Sequence, residues 1–122
     1  MQYLVKLQLS SSARPASQKD GIDFIEKFIF PTLELCKKLQ GEKKILAGGP
    51  VSGAVALVLI VSAESARELD DLITSLPIWP RMETQVIPLT TFDDRMHSLL
   101  PRLGELKAQL PETGMSAPGG GR

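Results

Sequence analysis

Cysteine is almost absent from this chain of 122 residues. Cys36 stands alone, so no disulfide can close within the sequence, which fits a reducing compartment. Histidine, tryptophan and tyrosine also occur once each, as His97, Trp79 and Tyr3. One histidine and one cysteine cannot complete a metal-ligand set, and no metal or other cofactor is expected. A net charge of either sign is missing too, because 14 basic residues balance 14 acidic ones. Such a chain lacks the electrostatic footprint of a nucleic-acid binder or of a protein held on an anionic membrane. It also has little charge repulsion to keep copies of itself apart. Long apolar runs are absent: the longest, residues 54–61, is far too short to cross a bilayer. The opening residues MQYLVKLQLSSS lack the basic segment and apolar stretch of a secretory leader, so a cytoplasmic location is expected.

What is present suits one small globular domain. Residues 2–9 alternate, with Tyr3, Val5, Leu7 and Leu9 on one side and Gln2, Lys6 and Gln8 on the other. That pattern predicts a strand with one drier face. Asp20 to Gln40 reads as a helix with Ile22, Ile25, Ile29, Leu33, Cys36 and Leu39 as its stripe, widened by Phe24, Phe28 and Leu35. Pro31 lies inside it and predicts a kink near Phe30; Gly41 is placed to end it. Residues 44–47 form a short strand, and Gly48-Gly49-Pro50-Val51-Ser52-Gly53 reads as a turn. The glycines do not make a phosphate loop, since no Gly-Lys-Ser/Thr follows and the next element is a strand. Residues 54–61, AVALVLIV, carry no polar side chain. A strand apolar on both sides is covered on both faces, and two helices cover only one, so a second copy of the chain is expected on the other.

Ser62 is a candidate N-cap for a helix over 63–75 with Ala66, Leu69, Ile73 and Leu76 buried, and Pro77 stops it. Residues 82–89 give a fourth strand, with Pro88 suited to an edge or a strand end. The order is that of an α+β, ferredoxin-like βαββαβ fold with a four-stranded antiparallel sheet. A further C-terminal helix is capped by Thr91 with Asp94 as its capping-box partner, weakened by Pro101 and Gly104. Its apolar positions, Met96, Leu99, Leu100, Leu103, Leu106 and Leu110, suit packing on the domain or on a neighbouring subunit. The domain is expected over 1–95, the helix over 96–110 and a disordered tail over 111–122.

One segment is more specific. LPIWPRMETQVIPL at 76–89, followed by Phe92-Asp93-Asp94-Arg95, resembles the muconolactone Δ-isomerase family. The resemblance rests on the Leu-Pro-apolar-aromatic-Pro turn, the Met entering the last strand and the DDR stretch, with matching element order over 1–95. The Ala47-Gly48-Gly49-Pro50 stretch is also similar to YciI-like relatives of the same superfold. The family resemblance implies a dimeric α/β barrel, a homodimer or larger ring whose sheets pack face to face. It also implies a small-molecule pocket between sheet and helices. Where the family places tryptophan, arginine, histidine and tyrosine, this chain reads KKILAGGPVSGAVALVLIV, which makes the implied wall apolar and small.

The implied activity is cofactor-independent proton transfer within a small lactone or carboxylate in aromatic-compound catabolism. A non-catalytic ligand-binding or assembly domain is the other reading. Moving a proton within an unsaturated lactone needs a base at an acidic C–H and a donor for the developing oxyanion. Histidine titrates near neutrality, which makes His97 a candidate base together with Asp94, while Arg95 could bind a carboxylate. Tyr3, Phe28 and Trp79 are candidate substrate-binding residues; Trp79, held between prolines, is expected to be largely buried. Bland roles compete with these: core packing for Tyr3, satisfying the helix dipole for Asp94, a helix-surface or interface position for His97, and a core position for Cys36. Arg81 and Glu83, on either side of Met82, are expected at solvent.

Overall fold

The structure, a computed structural model, describes residues 1–111; the tail expected to be disordered lies outside the described residues except for Pro111. The alternating segment at the N-terminus forms β1 (Gln2–Leu9). A 3-10 turn at Ser11–Ala13 leads to α1 (Gln18–Phe24), a π-helical turn at Ile25–Ile29 and α2 (Phe30–Gly41). Then come β2 (Ile45–Pro50), β3 (Ala56–Ser62), α3 (Ala66–Ser75), a 3-10 turn at Trp79–Arg81 and β4 (Met82–Leu89). The four strands make one sheet in the order β2-β3-β1-β4, with every neighbouring pair antiparallel. This is the ferredoxin-like arrangement. Residues 1–89 form one compact unit. The second unit holds α4 (Phe92–Ala108), which runs unbroken through Pro101 and whose first turn is capped by the Thr91 hydroxyl accepting from the Asp94 N–H at 3.0 Å.

Register sets which side chains meet. Tyr3, Val5 and Leu7 stand opposite Val61, Leu59 and Leu57 on the face covered by helices. All six are buried, and they close over Leu39 of α2 and Leu69, Leu72 and Ile73 of α3. The opposite face carries Leu4, Lys6, Val58 and Ile60, with Gln85 and Ile87 of β4 beside them. There Val58 and Ile60 are only half-buried within the single chain. β4 is one of the two edge strands, and Pro88, lacking an N–H, sits next to its end opposite Tyr3.

The long first helix departs from a uniform period. The Phe30 N–H reaches the Ile25 carbonyl, a bond to the fifth residue back, and Pro31 begins the new helix just after it. Pro31 has no N–H to give and its ring crowds the preceding turn, so a wider turn is the local solution at the place where the kink was expected. One extra residue in a turn rotates the face by about 100°. Phe24 is therefore buried, while Ile22 and Ile25, expected inside, are exposed.

Other boundaries shift for local reasons. α2 ends at Gly41 as expected, but the left-handed residue of its closure is Lys43, at φ 62. Lys43 N–H bonds the Gln40 carbonyl and Lys44 N–H the Leu39 carbonyl, which is a Schellman closure built without glycine. Ser62 stays in the ladder, its N–H on the Lys44 carbonyl, and Ser65 caps α3 by accepting from the Glu68 N–H. Ala66, expected inside, is exposed, and Leu72 takes its place in the core. Gly48-Gly49-Pro50 is strand, not turn; the reversal lies at 51–55, where Val51 N–H bonds the Ala56 carbonyl. Trp79 is 38% exposed, contrary to expectation, and Ile78 beside it is 3% exposed. The tight 3-10 turn can aim only one of the two neighbours inward, and Ile78 holds that position.

Gly48 is required by its surroundings. Its φ is 116, and a Cβ there would run into the Val58 carbonyl oxygen across the ladder. Gly48→Ala should cost about 3 kcal/mol of stability in chemical denaturation, since strain and a backbone clash combine. Gly49→Ala meets nothing within 4 Å and should stay within about 0.5 kcal/mol of the parent. Equal effects of the two substitutions would show that the β2 backbone does not approach β3 in this way.

Candidate functional site

Between α2 and one end of the sheet lies a cavity of about 140 Å³. Ile29, Thr32 and Leu33 form its helical wall, Ala56 and Leu57 of β3 its sheet wall, and Ile78 and Met82 its third side. Pro50, Ala54 and Val55 close it from the β2–β3 reversal. None of its lining side chains is ionisable. The polar exception is Thr32, which is 1% exposed. Its Oγ1 accepts the Ile78 N–H at 3.0 Å, a buried bond between residues 46 apart. The apolar and small wall expected from the sequence around β2 and β3 is therefore present at Pro50, Ala54, Val55 and Ala56.

A second concavity is polar. Phe24 and Phe28 stand 6.0 Å apart, ring to ring. The Arg81 guanidinium lies over both, 4.4 Å from the Phe28 centroid and 5.6 Å from that of Phe24. Arg81 is half-buried in this position, not at solvent as expected. Arg14, Lys27, Asp20 and Asp23 complete a cleft of about 480 Å³. Lys27 and Asp23 form an exposed ion pair at 3.9 Å, which contributes little. Arg14 and Arg81 have no ion-pair partner among the described residues. A third, open groove along β1 and β4 is lined by Lys6, Gln8, Glu83, Thr84 and Gln85.

The sequence-expected site residues are dispersed. Tyr3 is a core residue whose hydroxyl contacts the Met1 sulfur at 3.7 Å, and it lines none of these concavities. Phe28 lines the arginine cleft. Trp79 follows Ile78 but is not among the cavity residues. Asp94, Arg95 and His97 all belong to the first turns of α4, where the Asp94 and Arg95 N–H groups bond Thr91. Thr32 was not among the expected site residues, and Arg81 was expected at solvent. The Leu-Pro-Ile-Trp-Pro turn was the available signal for both, because it delivers Ile78 to Thr32 and Arg81 to Phe28. Among the described residues no group of three or more His, Cys, Asp or Glu side chains could hold a metal. No helix there is long and apolar enough to cross a membrane.

Strand order, the two crossover helices and an apolar pocket between helix and sheet define a small α+β protein of the ferredoxin-like class. The chain belongs to the muconolactone delta-isomerase family, which it matches over residues 1–95. Its fold is similar to that of a muconolactone isomerase crystal structure, at 22% identity and a TM-score of 0.62, covering 75% of this chain and 90% of that one. It is also similar to 5-chloro-2-hydroxyhydroquinone dehydrochlorinase from Burkholderia phenoliruptrix, solved with 2,5-dihydroxybenzoquinone. That likeness has 24% identity and a TM-score of 0.51 and covers 77% of this chain and 98% of that one. No curated protein matches the sequence.

Cys36 is packed against the core as a half-buried side chain, and burial raises its thiol pKa above the ordinary value. Ionising it is easier in the unfolded chain. Its contribution to stability is therefore present below the ordinary thiol pKa and is lost as the pH rises through the raised folded value. At pH 8, iodoacetamide should alkylate native Cys36 about tenfold more slowly than Cys36 in urea, because the thiolate is the nucleophile. Equal rates would mean that the thiol is open and activated.

Proposed function

We propose that this protein is a homo-oligomeric, cofactor-independent isomerase that moves a proton within a small lactone or carboxylate, in aromatic-compound catabolism and in the cytoplasm. Its family membership is the observation that carries the reading. The pocket between α2 and the sheet, of a size for one small ring, supports it. In such a reaction a base takes the proton from an acidic ring carbon, the double bond shifts, and the proton returns at another carbon. Nothing is oxidised or reduced, so no electron carrier is needed. His97 and Asp94 are the proposed bases and Arg95 the carboxylate partner, with Phe28 and Trp79 as proposed substrate contacts. The domain is proposed to span 1–95, the length of the family match, with α4 (Phe92–Ala108) starting inside that bound.

The second reading, a ligand-binding or assembly domain without catalysis, is favoured by the cavity wall, which carries no ionisable side chain. Turnover decides between them. On muconolactone, His97→Ala should lower kcat at least about a hundredfold with KM little changed, as expected for loss of a general base. Arg95→Ala should raise KM instead. No isomerase activity in the parent protein at any pH would leave the binding reading.

Self-association is proposed through the outer sheet face, where Leu4, Val58 and Ile60 lie together and Ile87 is 40% exposed. The fold separates two neighbours that look alike in sequence: Leu57 points into the core and Val58 to the outer face. Val58→Asp should convert the oligomer to folded monomer in sedimentation, because an unpaired charge in the interface costs several kcal/mol. Leu57→Asp should unfold the chain. A parent protein that sediments as a monomer at micromolar concentration contradicts the assembly.

A further inference from the structure

We infer that the Thr32 hydroxyl is a hydrogen-bond donor to the ring carbonyl of a small neutral lactone or enone bound in the apolar cavity. This deepens the proposed function and rests on it for the ligand class.

A threonine hydroxyl offers one proton and two lone pairs. In a helix it ordinarily donates to the carbonyl one turn back, as Thr74 does here to Asp70 at 2.9 Å. Thr32 is also helical, and its oxygen accepts the Ile78 N–H at 3.0 Å. Its own proton has no acceptor among the described residues. Thr32 is 1% exposed, so bulk water does not solvate that proton. A buried donor without an acceptor is costly and uncommon in folded proteins. Thr32 lines the cavity, and the other lining groups used here, Ile29, Leu33, Leu57, Ile78 and Met82, are apolar. The missing acceptor therefore belongs to whatever occupies the cavity.

Size and charge narrow the occupant. A volume of about 140 Å³ is close to that of engineered apolar cavities, about 150 Å³, that hold a benzene-sized molecule. The wall offers no cation, so an ionised carboxylate would lose its hydration without compensation. A neutral five- or six-membered ring fits, with one carbonyl oxygen directed at Thr32. The Ile78 N–H donated to the same oxygen polarises the hydroxyl and strengthens its donation.

Methyl resonances of the parent protein, Thr32→Ser and Thr32→Val can be followed by NMR during titration with γ-crotonolactone. Cyclopentene serves as a hydrocarbon of similar size. Thr32→Val should weaken lactone binding about three- to tenfold, the usual worth of one hydrogen bond, while Thr32→Ser retains it. Cyclopentene should bind all three alike. Thr32→Val also loses the acceptor for Ile78, so a crystal structure of the parent protein with γ-crotonolactone provides a second measurement. It should place the carbonyl oxygen about 3 Å from Thr32 Oγ1. Equal lactone affinity in Thr32→Val, a carbonyl turned elsewhere, a water in its place, or unmoved cavity methyls each overturns the inference. Isomerase turnover is read separately. Activity without lactone binding in the cavity leaves the proposed function standing and removes this inference; binding without activity does the reverse.

Discussion

The hydrogen bond from the Ile78 N–H to the Thr32 hydroxyl joins α2 to the turn that follows α3. The turn Leu76-Pro77-Ile78-Trp79-Pro80 has two prolines and so only three N–H groups. Leu76 gives its N–H to the Ile73 carbonyl, and Trp79 gives its own to Leu76. Thr32 takes the third. Every donor in the turn is thereby satisfied, which lets a non-repetitive segment lie against the core. Leu76 at 1% and Ile78 at 3% exposure are the result. The same bond fixes the direction of the turn. Trp79 must then face away from the Ile78 position, and Arg81 arrives over Phe28. Met82 enters β4 at the edge of the cavity.

Thr32 can make that bond because of what precedes it. The π turn at Ile25–Ile29 resets the helical phase just before Pro31. It turns Phe24 inward below the reset and Thr32, Cys36 and Leu39 toward the sheet above it. Such turns are often found where a helix serves a function, since they trade regular packing for a redirected side chain. Here the redirected groups form both concavities: Thr32 and Leu33 line one, Phe24 and Phe28 the other.

The strands were the legible part of the sequence. Alternation marks β1 as a strand with one dry face and the β-branched apolar run marks β3 as a strand, and register follows from which face is dry. Helical periodicity was legible only on one side of the π turn, because a fixed 3.6-residue period cannot register an inserted residue. Gly48-Gly49-Pro50 resembled a turn because glycine marks both reversals and close backbone contacts; only the Val58 carbonyl distinguishes the two. The site was harder to read. Aromatic and ionisable residues draw attention in a sequence, whereas Thr32 looks like a neutral helical position between Pro31 and Leu33. Its importance comes from a partner 46 residues away, which no local pattern reports.

The chemistry of the cavity constrains any function assigned to it. A ring buried among Ile29, Leu33, Leu57 and Met82 gains apolar contact, and the surrounding low dielectric strengthens the one polar interaction available. That same environment excludes an ionised group, whose desolvation it cannot offset. A substrate that carries both a ring carbonyl and a carboxylate must therefore leave the carboxylate outside, where water or a guanidinium can hold it. It must also meet its acid or base from outside the lining, because none of the lining side chains titrates. The cavity therefore suits recognition of the neutral part of a ligand and cannot by itself supply the proton transfer.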